Sequence, residues 1–377
     1  MAEVKQRNGM TDLLKFIFAV MIVCYHSKSF ADRGGSFIFT QGYIAVDFFF
    51  ITAGFHLAAS AMRKRDAGGG YSLGRETAGY MGRRLSRILP LYLTAAVIAL
   101  TAAAAIKGLS VKGVVKLAAD SIGEWTFLQQ TGFDTGILVG ASWFLSALIL
   151  LSLLLYPMVR KFGDTFLYVI APLVFAFMFG LAFHHVPDIQ APRTMLGGMI
   201  MIGLARGLFE MCLGCLIFGL VRLFRGYDLK KAGKIILTVT EVLIYAGVIV
   251  YHSIGKHPKK YDWYTIIALG IAVLITCSGF SLSGKVIKGK VFTFLGEWSF
   301  AMYISHRSWS LLMDKWSLFK GWTYSEKLPV YLMISTASSL AVLFGGKLIA
   351  RLFRLLKDKL VFRLPENDDE DKPAAGE

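Results

Sequence analysis

The 377-residue chain is poor in charged residues and in cysteine. Charged residues make up 18% of it and hydrophobic residues 55%, and the mean hydropathy is +0.56. Soluble domains carry about a quarter of their residues as charges, so this composition excludes a soluble enzyme and a disordered protein. Four cysteines, all within apolar runs, exclude a secreted domain built on disulfides. Two of them form a CxxC at Cys212 and Cys215, which we interpret as helix packing rather than as a thiol site.

Apolar runs long enough to cross a bilayer recur along almost the whole chain. They predict an all-α polytopic membrane protein with about ten transmembrane helices. The predicted spans are 11–29, 42–62, 88–106, 141–159, 165–183, 195–221, 235–252, 263–281, 292–311 and 329–350. The first run contains Lys15 and His26 and leads directly into the second, so we interpret it as a span rather than as a cleaved signal peptide.

Basic residues are unequally divided between alternate loops. With the N-terminus in the cytoplasm, 25 of the 41 lysines and arginines fall in cytoplasmic segments and 13 in external ones. The bias predicts that both termini are cytoplasmic. Most of the net charge of +16 is then explained by topology, and nucleic-acid binding is not expected.

The chain reads as one membrane domain with a short tail. We assign residues 1–356 to the membrane domain and residues 357–377 to an acidic cytoplasmic tail, which we expect to be disordered. The longest external loop is 107–140, and its 111–128 stretch is predicted to be an interfacial helix. We find no internal repeat and no appended soluble domain.

Ionisable residues within spans are costly, so each is a candidate for function. Lys15 and His26 are eleven residues apart in the first span, which places them on one helix face roughly 16 Å apart along the axis. A lone intramembrane histidine is equally well explained by packing. The lysine at the cytoplasmic end of the same face favours a functional role for the pair.

Arg84 and Arg87 precede the third span at a one-turn spacing. Two neighbouring guanidinium groups suit a phosphate group, because each donates two parallel hydrogen bonds. Basic residues at a cytoplasmic helix end also anchor the helix without any ligand. The residues alone leave both interpretations open.

Three further groups of polar residues lie in spans. Asp47 is near the outer end of the second span, at a depth similar to that of His26, where it either orients the imidazole or simply faces water. Arg206 and Glu210, four residues apart, are interpreted as a structural ion pair. Glu241 is a weaker candidate for lining a cavity. We assign no role to His306 or the other histidines, whose spacing predicts no metal site.

Five segments together resemble the membrane-bound acyltransferase-3 family, whose members O-acylate cell-surface carbohydrates in bacteria. They are Lys15-x10-His26, GYIAVDFFFITAGF (42–55), RRLSRILPLY (83–92), SWFLSALI (142–149) and FLGEWSFAMYISH (294–306), in the family's order. Ala53 stands where the family often has serine. The SWFLSALI block lacks the family's frequent glutamate and is similar to a WFL-type branch. We expect no appended esterase-like domain.

The resemblance implies a ten-helix enzyme of the bacterial inner membrane that moves an acyl group, expected to be acetyl, from cytoplasmic acyl-coenzyme A to a carbohydrate hydroxyl outside. It implies that Lys15, Arg84 and Arg87 hold the coenzyme A phosphates. His26 would act as general base with support from Asp47, and no metal is expected. The sequence leaves open the carbohydrate acceptor, the choice between acetyl and other acyl donors, and the oligomeric state.

Two alternatives of a different class are a transporter or flippase of a glycan or lipid-linked substrate and a non-catalytic membrane subunit. A transporter would use the same intramembrane polar residues to line a substrate path. The absence of repeat symmetry and of paired broken helices disfavours that interpretation.

Overall fold

The computed structural model describes residues 8–31, 37–68, 72–133, 138–186, 189–254 and 257–360. Helices occupy most of these residues. They are α1 (Gly9–Tyr25), α2 (Ala45–Asp66), α3 (Leu73–Lys107), α4 (Val111–Asp120), α5 (Ile122–Trp125), α6 (Trp143–Phe162), α7 (Ala171–His185), α8 (Ile202–Leu223), α9 (Lys231–Ser253), α10 (Tyr261–Ser278), α11 (Ser283–Val286), α12 (Lys290–Lys315) and α13 (Tyr324–Leu360). Short 3-10 turns follow α1 at His26–Phe30 and precede α2 at Gly42–Ile44.

The predicted fold class, an all-α polytopic membrane protein, is confirmed. Within the described ranges, nine helical segments are long and apolar enough to cross a membrane. They are Gly9–Phe30, Gly42–Asp66, Leu73–Lys107, Trp143–Phe162, Phe166–His185, Ile202–Leu223, Lys231–Ser253, Tyr261–Ser278 and Tyr324–Leu355. The remaining predicted span, 292–311, lies in α12, which has 26 residues but no stretch apolar enough to be counted with the other nine. Helix α12 packs against α1, α3 and α13 and so belongs to the bundle.

Two predicted boundaries are corrected by the structure. The span expected to begin at residue 195 begins at Ile202, because a small antiparallel hairpin pairs Met195–Leu196 with Ile200–Met201. Its turn contains Gly197 and Gly198, both with positive φ, a conformation that glycine adopts without strain. The helix expected at 111–128 is divided into α4 and α5.

The C-terminal helix runs further than expected. Helix α13 continues through the predicted domain boundary at residue 356 to Leu360. The rest of the acidic tail, for which we expect disorder, lies outside the described residues.

Helices α2 and α8 pack backbone against backbone. The Cα of Gly54 in α2 lies against the main chain of Met211, and the Cα of Gly214 in α8 lies against the main chain of Ile51. Glycine permits this approach because it has no Cβ, and small residues are enriched at helix contacts in membranes for that reason. The close contact fixes the relative position of the polar residues that α2 and α8 carry.

Candidate active site

Two histidines from opposite ends of the sequence lie side by side in the bundle. His26 is the first residue after α1, where the helix tightens into a 3-10 turn, and His306 lies in α12. Their ring centroids are 4.9 Å apart and the ring planes are tilted by 37°. His306 is fully buried, whereas His26 retains partial exposure. The pair therefore has one accessible member and one enclosed member.

The hydrogen bond of His306 fixes its tautomer when the ring is neutral. Its Nδ1 lies 3.1 Å from the carbonyl oxygen of Met302, and a carbonyl can only accept, so Nδ1 carries the proton. The Nε2 of His306 is then left with a lone pair. Among the described residues, neither this Nε2 nor the Nδ1 of His26 has a hydrogen-bond partner, although both atoms are buried.

Hydroxyl, amide and cationic groups surround the histidine pair. The ring of Tyr25 contacts that of His26 edge-on at 5.0 Å, and its hydroxyl donates to Oε1 of Gln190 at 2.8 Å. Lys28 donates to the same tyrosine hydroxyl. Arg307 donates to two serine hydroxyls from the position next to His306. Lys28 and Arg307 therefore place two positively charged groups beside the histidine pair.

The structure places Asp47 with Arg206 rather than with His26. Oδ1 of Asp47 accepts from Nε of Arg206 at 2.6 Å and also from Nη2. Glu210 accepts from the same Nε at 3.1 Å, so the expected Arg206–Glu210 pair is present with Asp47 as a third member. All three side chains are buried. No hydrogen bond joins Asp47 to His26 among the described residues, so any effect of this carboxylate on the imidazole is indirect.

Glu124 is a buried carboxylate that no sequence motif marks as a site residue. It accepts hydrogen bonds from the backbone N–H groups of residues 138–140 and from the Ser142 hydroxyl, the first residue of the SWFLSALI block. The loop that it organises presents the carbonyl of Ala141 to the Tyr303 hydroxyl at 2.9 Å, and the Tyr303 ring is 6.1 Å from that of His306. The SWFLSALI block, which lacks its own acid, is thus bound by Glu124 from the preceding loop, which is predicted to be external.

Lys15, Arg84 and Arg87 lie at the other end of the bundle from the histidine pair. Nζ of Lys15 is 3.4 Å from Oδ1 of Asp12, one turn earlier in α1. Arg84 donates to the Tyr80 hydroxyl at 2.6 Å while its Nε is buried without a partner, and Arg87 is exposed. Both arginines lie on α3, which confirms their predicted one-turn spacing on a helix.

A chain of helix contacts gives the relative depths of these basic residues. Three contacts connect α1 to α3: Asp12 with Gly296, Glu297 with Lys347, and Gly346 with Leu91. Leu91 is one turn from Arg87, and Asp12 is one turn from Lys15. All three therefore lie in the half of the bundle away from the histidine pair, with Lys15 nearer to the pair than the two arginines and with α12 packed between α1 and α3.

The remaining intramembrane polar residues are part of the packing. Glu241 accepts from the Thr276 hydroxyl at 2.6 Å, and His252 bonds to Thr265 at 2.9 Å. The thiol of Cys215 lies 3.6 Å from the carbonyl oxygen of Gly54, at the contact between α8 and α2, as expected of a packing cysteine. In the part of the chain that the structure describes, no three histidine, cysteine or acidic residues form a group that could hold a metal ion.

A family model described as an acyltransferase domain matches residues 11–346. The chain belongs to the acyltransferase-3 family. The protein is therefore a membrane acyltransferase, and the resemblance inferred from five short segments is confirmed over nearly the whole chain. No curated protein and no solved structure matches it.

The acyltransferase-3 assignment leaves the roles of individual residues to be argued from geometry. Sequence reasoning singled out His26 but gave His306 no role, although His306 ends the last of the five family segments. A histidine within an apolar helix was the available signal. Its proximity to His26 could not be inferred, because 280 positions separate the two residues.

Proposed function

We propose that this acyltransferase transfers an acyl group, expected to be acetyl, from cytoplasmic acyl-coenzyme A to a hydroxyl of a cell-surface or exported carbohydrate. The membrane is expected to be the inner membrane of a bacterial cell. The observation that carries the proposal is the separation of two polar sites within one bundle. Basic residues lie at the end predicted to be cytoplasmic, and a partly exposed histidine lies towards the other end.

The donor would enter from the basic end. Arg84 and Arg87 offer guanidinium groups to the phosphates of coenzyme A, and Lys15 adds a third positive charge higher in the bundle. The buried Nε of Arg84 has no partner among the described residues and suits a phosphate oxygen. Lys15 and His26 are roughly 16 Å apart along α1 at 1.5 Å per residue, a distance that the pantetheine arm spans.

The reaction assigned to His26 is general base catalysis. The imidazole takes the proton of the acceptor hydroxyl, and the hydroxyl oxygen forms a bond to the thioester carbonyl carbon. The carbon–sulfur bond then breaks, and the proton passes from His26 to the sulfur, which leaves as the coenzyme A thiol. A covalent acyl-histidine intermediate is the other route open to the same residue.

Asp47 contributes to this site indirectly, through Arg206. Its carboxylate binds Arg206, and this contact ties α2 to α8 beneath the outer ends of both helices. We therefore propose that Asp47 supports the position of the α2 segment next to α1 and His26, rather than exchanging a proton with the imidazole.

The deciding experiment measures acyl transfer by the purified, lipid-reconstituted protein. Radiolabelled acetyl-coenzyme A serves as donor, and glycan from an envelope preparation lacking the protein serves as acceptor. His26→Ala should abolish label transfer while the thermal unfolding midpoint and its increase with acetyl-coenzyme A are retained. His185→Ala is the matched control, because His185 is an exposed histidine at the corresponding end of α7. Normal transfer by folded His26→Ala would refute the assignment.

Measurements on the same preparation distinguish an enzyme from a transporter and from a non-catalytic subunit. A transporter of a glycan or a non-catalytic subunit predicts no thermal stabilisation by acetyl-coenzyme A and no release of its thiol. Mass analysis of surface glycans from cells with and without the gene then identifies the acceptor and the acyl group. Absence of any acyl difference between the two glycan sets would contradict a carbohydrate acceptor.

A further inference from the structure

Two buried nitrogen atoms in the histidine pair lack the partners that such atoms normally have. Nε2 of His306 and Nδ1 of His26 are both buried and have no hydrogen-bond partner among the described residues. Leaving a buried polar atom unpaired costs about 1–3 kcal/mol, so two such atoms on neighbouring rings are candidates for partners of each other. Their rings are adjacent, 4.9 Å between centroids.

The two atoms are chemically matched. His306 offers a lone pair on Nε2, because its proton is held on Nδ1 by the Met302 carbonyl. The Nδ1 of His26 can carry a proton and donate it. Catalytic hydrogen bonds are often long or poorly aligned in structures without substrate and tighten in the reacting complex. The centroid distance of 4.9 Å and the 37° tilt keep the two rings close enough for such a bond to form between them.

Among the described residues, the contacts of His26 and Asp47 leave His306 as the base beside the His26 ring. Asp47 is held by Arg206, and the described ring contacts of His26 are with Tyr25 and His306. The charged side chains of the 3-10 turn and of α12 that are held beside the pair, Lys28 at the Tyr25 hydroxyl and Arg307 at the Ser29 hydroxyl, are both positive. They oppose the positive charge that a base acquires when it takes a proton.

We propose that His306 is a positioning residue for His26, accepting the Nδ1–H of His26 at its own Nε2. This inference rests on the proposed function of His26 as general base. The hydrogen bond fixes the tautomer in which Nε2 of His26 carries the lone pair and faces the acceptor hydroxyl. When His26 takes the hydroxyl proton, the resulting imidazolium strengthens its bond to His306, and the proton later passes from Nε2 of His26 to the departing sulfur.

A neutral partner suits this location better than a carboxylate. In catalytic triads an aspartate orients the histidine and stabilises its charged form. Within a membrane span an unpaired carboxylate is costly in the resting enzyme. An imidazole orients His26 in the same way, carries no charge between turnovers, and accepts a hydrogen bond when charge develops.

The first test determines the tautomer of His26 without an activity measurement. The protein is labelled with [15N]histidine and examined by NMR with and without coenzyme A, and the His26 signal is identified by its absence from His26→Gln. The proposal predicts a proton on Nδ1 and none on Nε2 in the protein with coenzyme A. A His26 ring protonated on Nε2 in both samples would overturn it. This readout remains valid if the acyl transfer proposal fails.

The second test compares two substitutions of His306 in the transfer assay. His306→Leu removes the acceptor and should lower kcat about 100-fold, with the KM for acetyl-coenzyme A within twofold of wild type. His306→Gln retains an acceptor oxygen and should keep at least tenfold more kcat than the leucine variant. Equal losses in the two variants, or a loss in KM alone, would show that His306 only packs. If His306→Leu does not fold, the kcat of the folded His306→Gln variant tests the proposal. A kcat below that of wild type is expected, and a kcat equal to wild type would overturn the proposal.

Discussion

Arg206 binds Asp47 through both Nε and Nη2 across the contact between α8 and α2, and both side chains are buried. Glu210 shares the same guanidinium group. Two carboxylates thus depend on one arginine. Breaking a buried ion pair by removing one partner typically costs about 3–5 kcal/mol, because the other partner is left charged and unpaired.

The arginine is therefore expected to be a stability residue. Arg206→Ala should lower the free energy of unfolding by about 3–5 kcal/mol, measured by thermal or denaturant unfolding in detergent. Lys116→Ala is the control, since Lys116 pairs with Asp120 at 2.7 Å on the exposed face of α4, and exposed pairs contribute about 0–1 kcal/mol. Equal effects of the two substitutions would contradict the structural role of Arg206.

The contact between α2 and α8 gives a second prediction. A methyl group on Gly214 would collide with the main-chain carbonyl of Ile51 and approach the Phe55 nitrogen to 2.7 Å. Because main chain cannot move aside as a side chain can, Gly214→Ala should destabilise the protein by about 1–3 kcal/mol. Gly247→Ala in α9 meets nothing within 4 Å and should be neutral or stabilising by up to about 1 kcal/mol. Unfolding midpoints of the two variants make the comparison, and an unchanged midpoint for Gly214→Ala would count against the packing.

The sequence predicts the membrane spans well because the bilayer sets their length, and a run of apolar residues is visible without tertiary information. The hairpin at 195–201 is missed because its turn residues, Gly197 and Gly198, lie inside an apolar stretch. The positions of Arg84 and Arg87 follow from helical spacing, which is a local property.

The part of the site that is missed depends on long-range contacts. Glu124 binds mainly backbone N–H groups at least 14 residues away, and no residue type marks such groups. Asp47 and His26 were expected to meet because their depths are similar. Depth does not determine which helix face a side chain occupies, and the arginine that binds Asp47 is 159 positions away.

Glu124 is predicted to maintain the external loop beside the histidine pair. Glu124→Gln replaces one acceptor oxygen by an NH2 group facing the backbone N–H groups of Leu138 and Val139. It should cost about 1–3 kcal/mol of stability, the penalty for buried groups left unsatisfied, and lower kcat by disturbing the Tyr303 contact. Asp120→Asn, on the exposed end of α4, is the control. A glutamine variant with unchanged stability and unchanged kcat would show that the loop holds without the carboxylate.

Arg84 and Arg87 are predicted to act on the donor and not on the chemical step. Each substitution by alanine should raise the Kd for acetyl-coenzyme A about tenfold, equivalent to about 1.4 kcal/mol, because a guanidinium group no longer contacts phosphate. Their kcat at saturating donor should stay within twofold of wild type. Arg75→Ala is the matched control, since Arg75 lies in the first turn of the same helix and donates from its backbone to Ser72.

Two ligands distinguish whether these arginines contact the 3′-phosphate or the diphosphate of coenzyme A. Binding is measured by the thermal shift that acetyl-coenzyme A produces and, in parallel, by the shift from dephospho-coenzyme A, which lacks the 3′-phosphate. If one arginine contacts the 3′-phosphate, its substitution reduces the affinity for coenzyme A but leaves the affinity for the dephospho form unchanged. If both contact the diphosphate, both affinities fall together. Wild-type affinity for both ligands in both variants would show that Arg84 and Arg87 serve only to anchor α3 in the membrane.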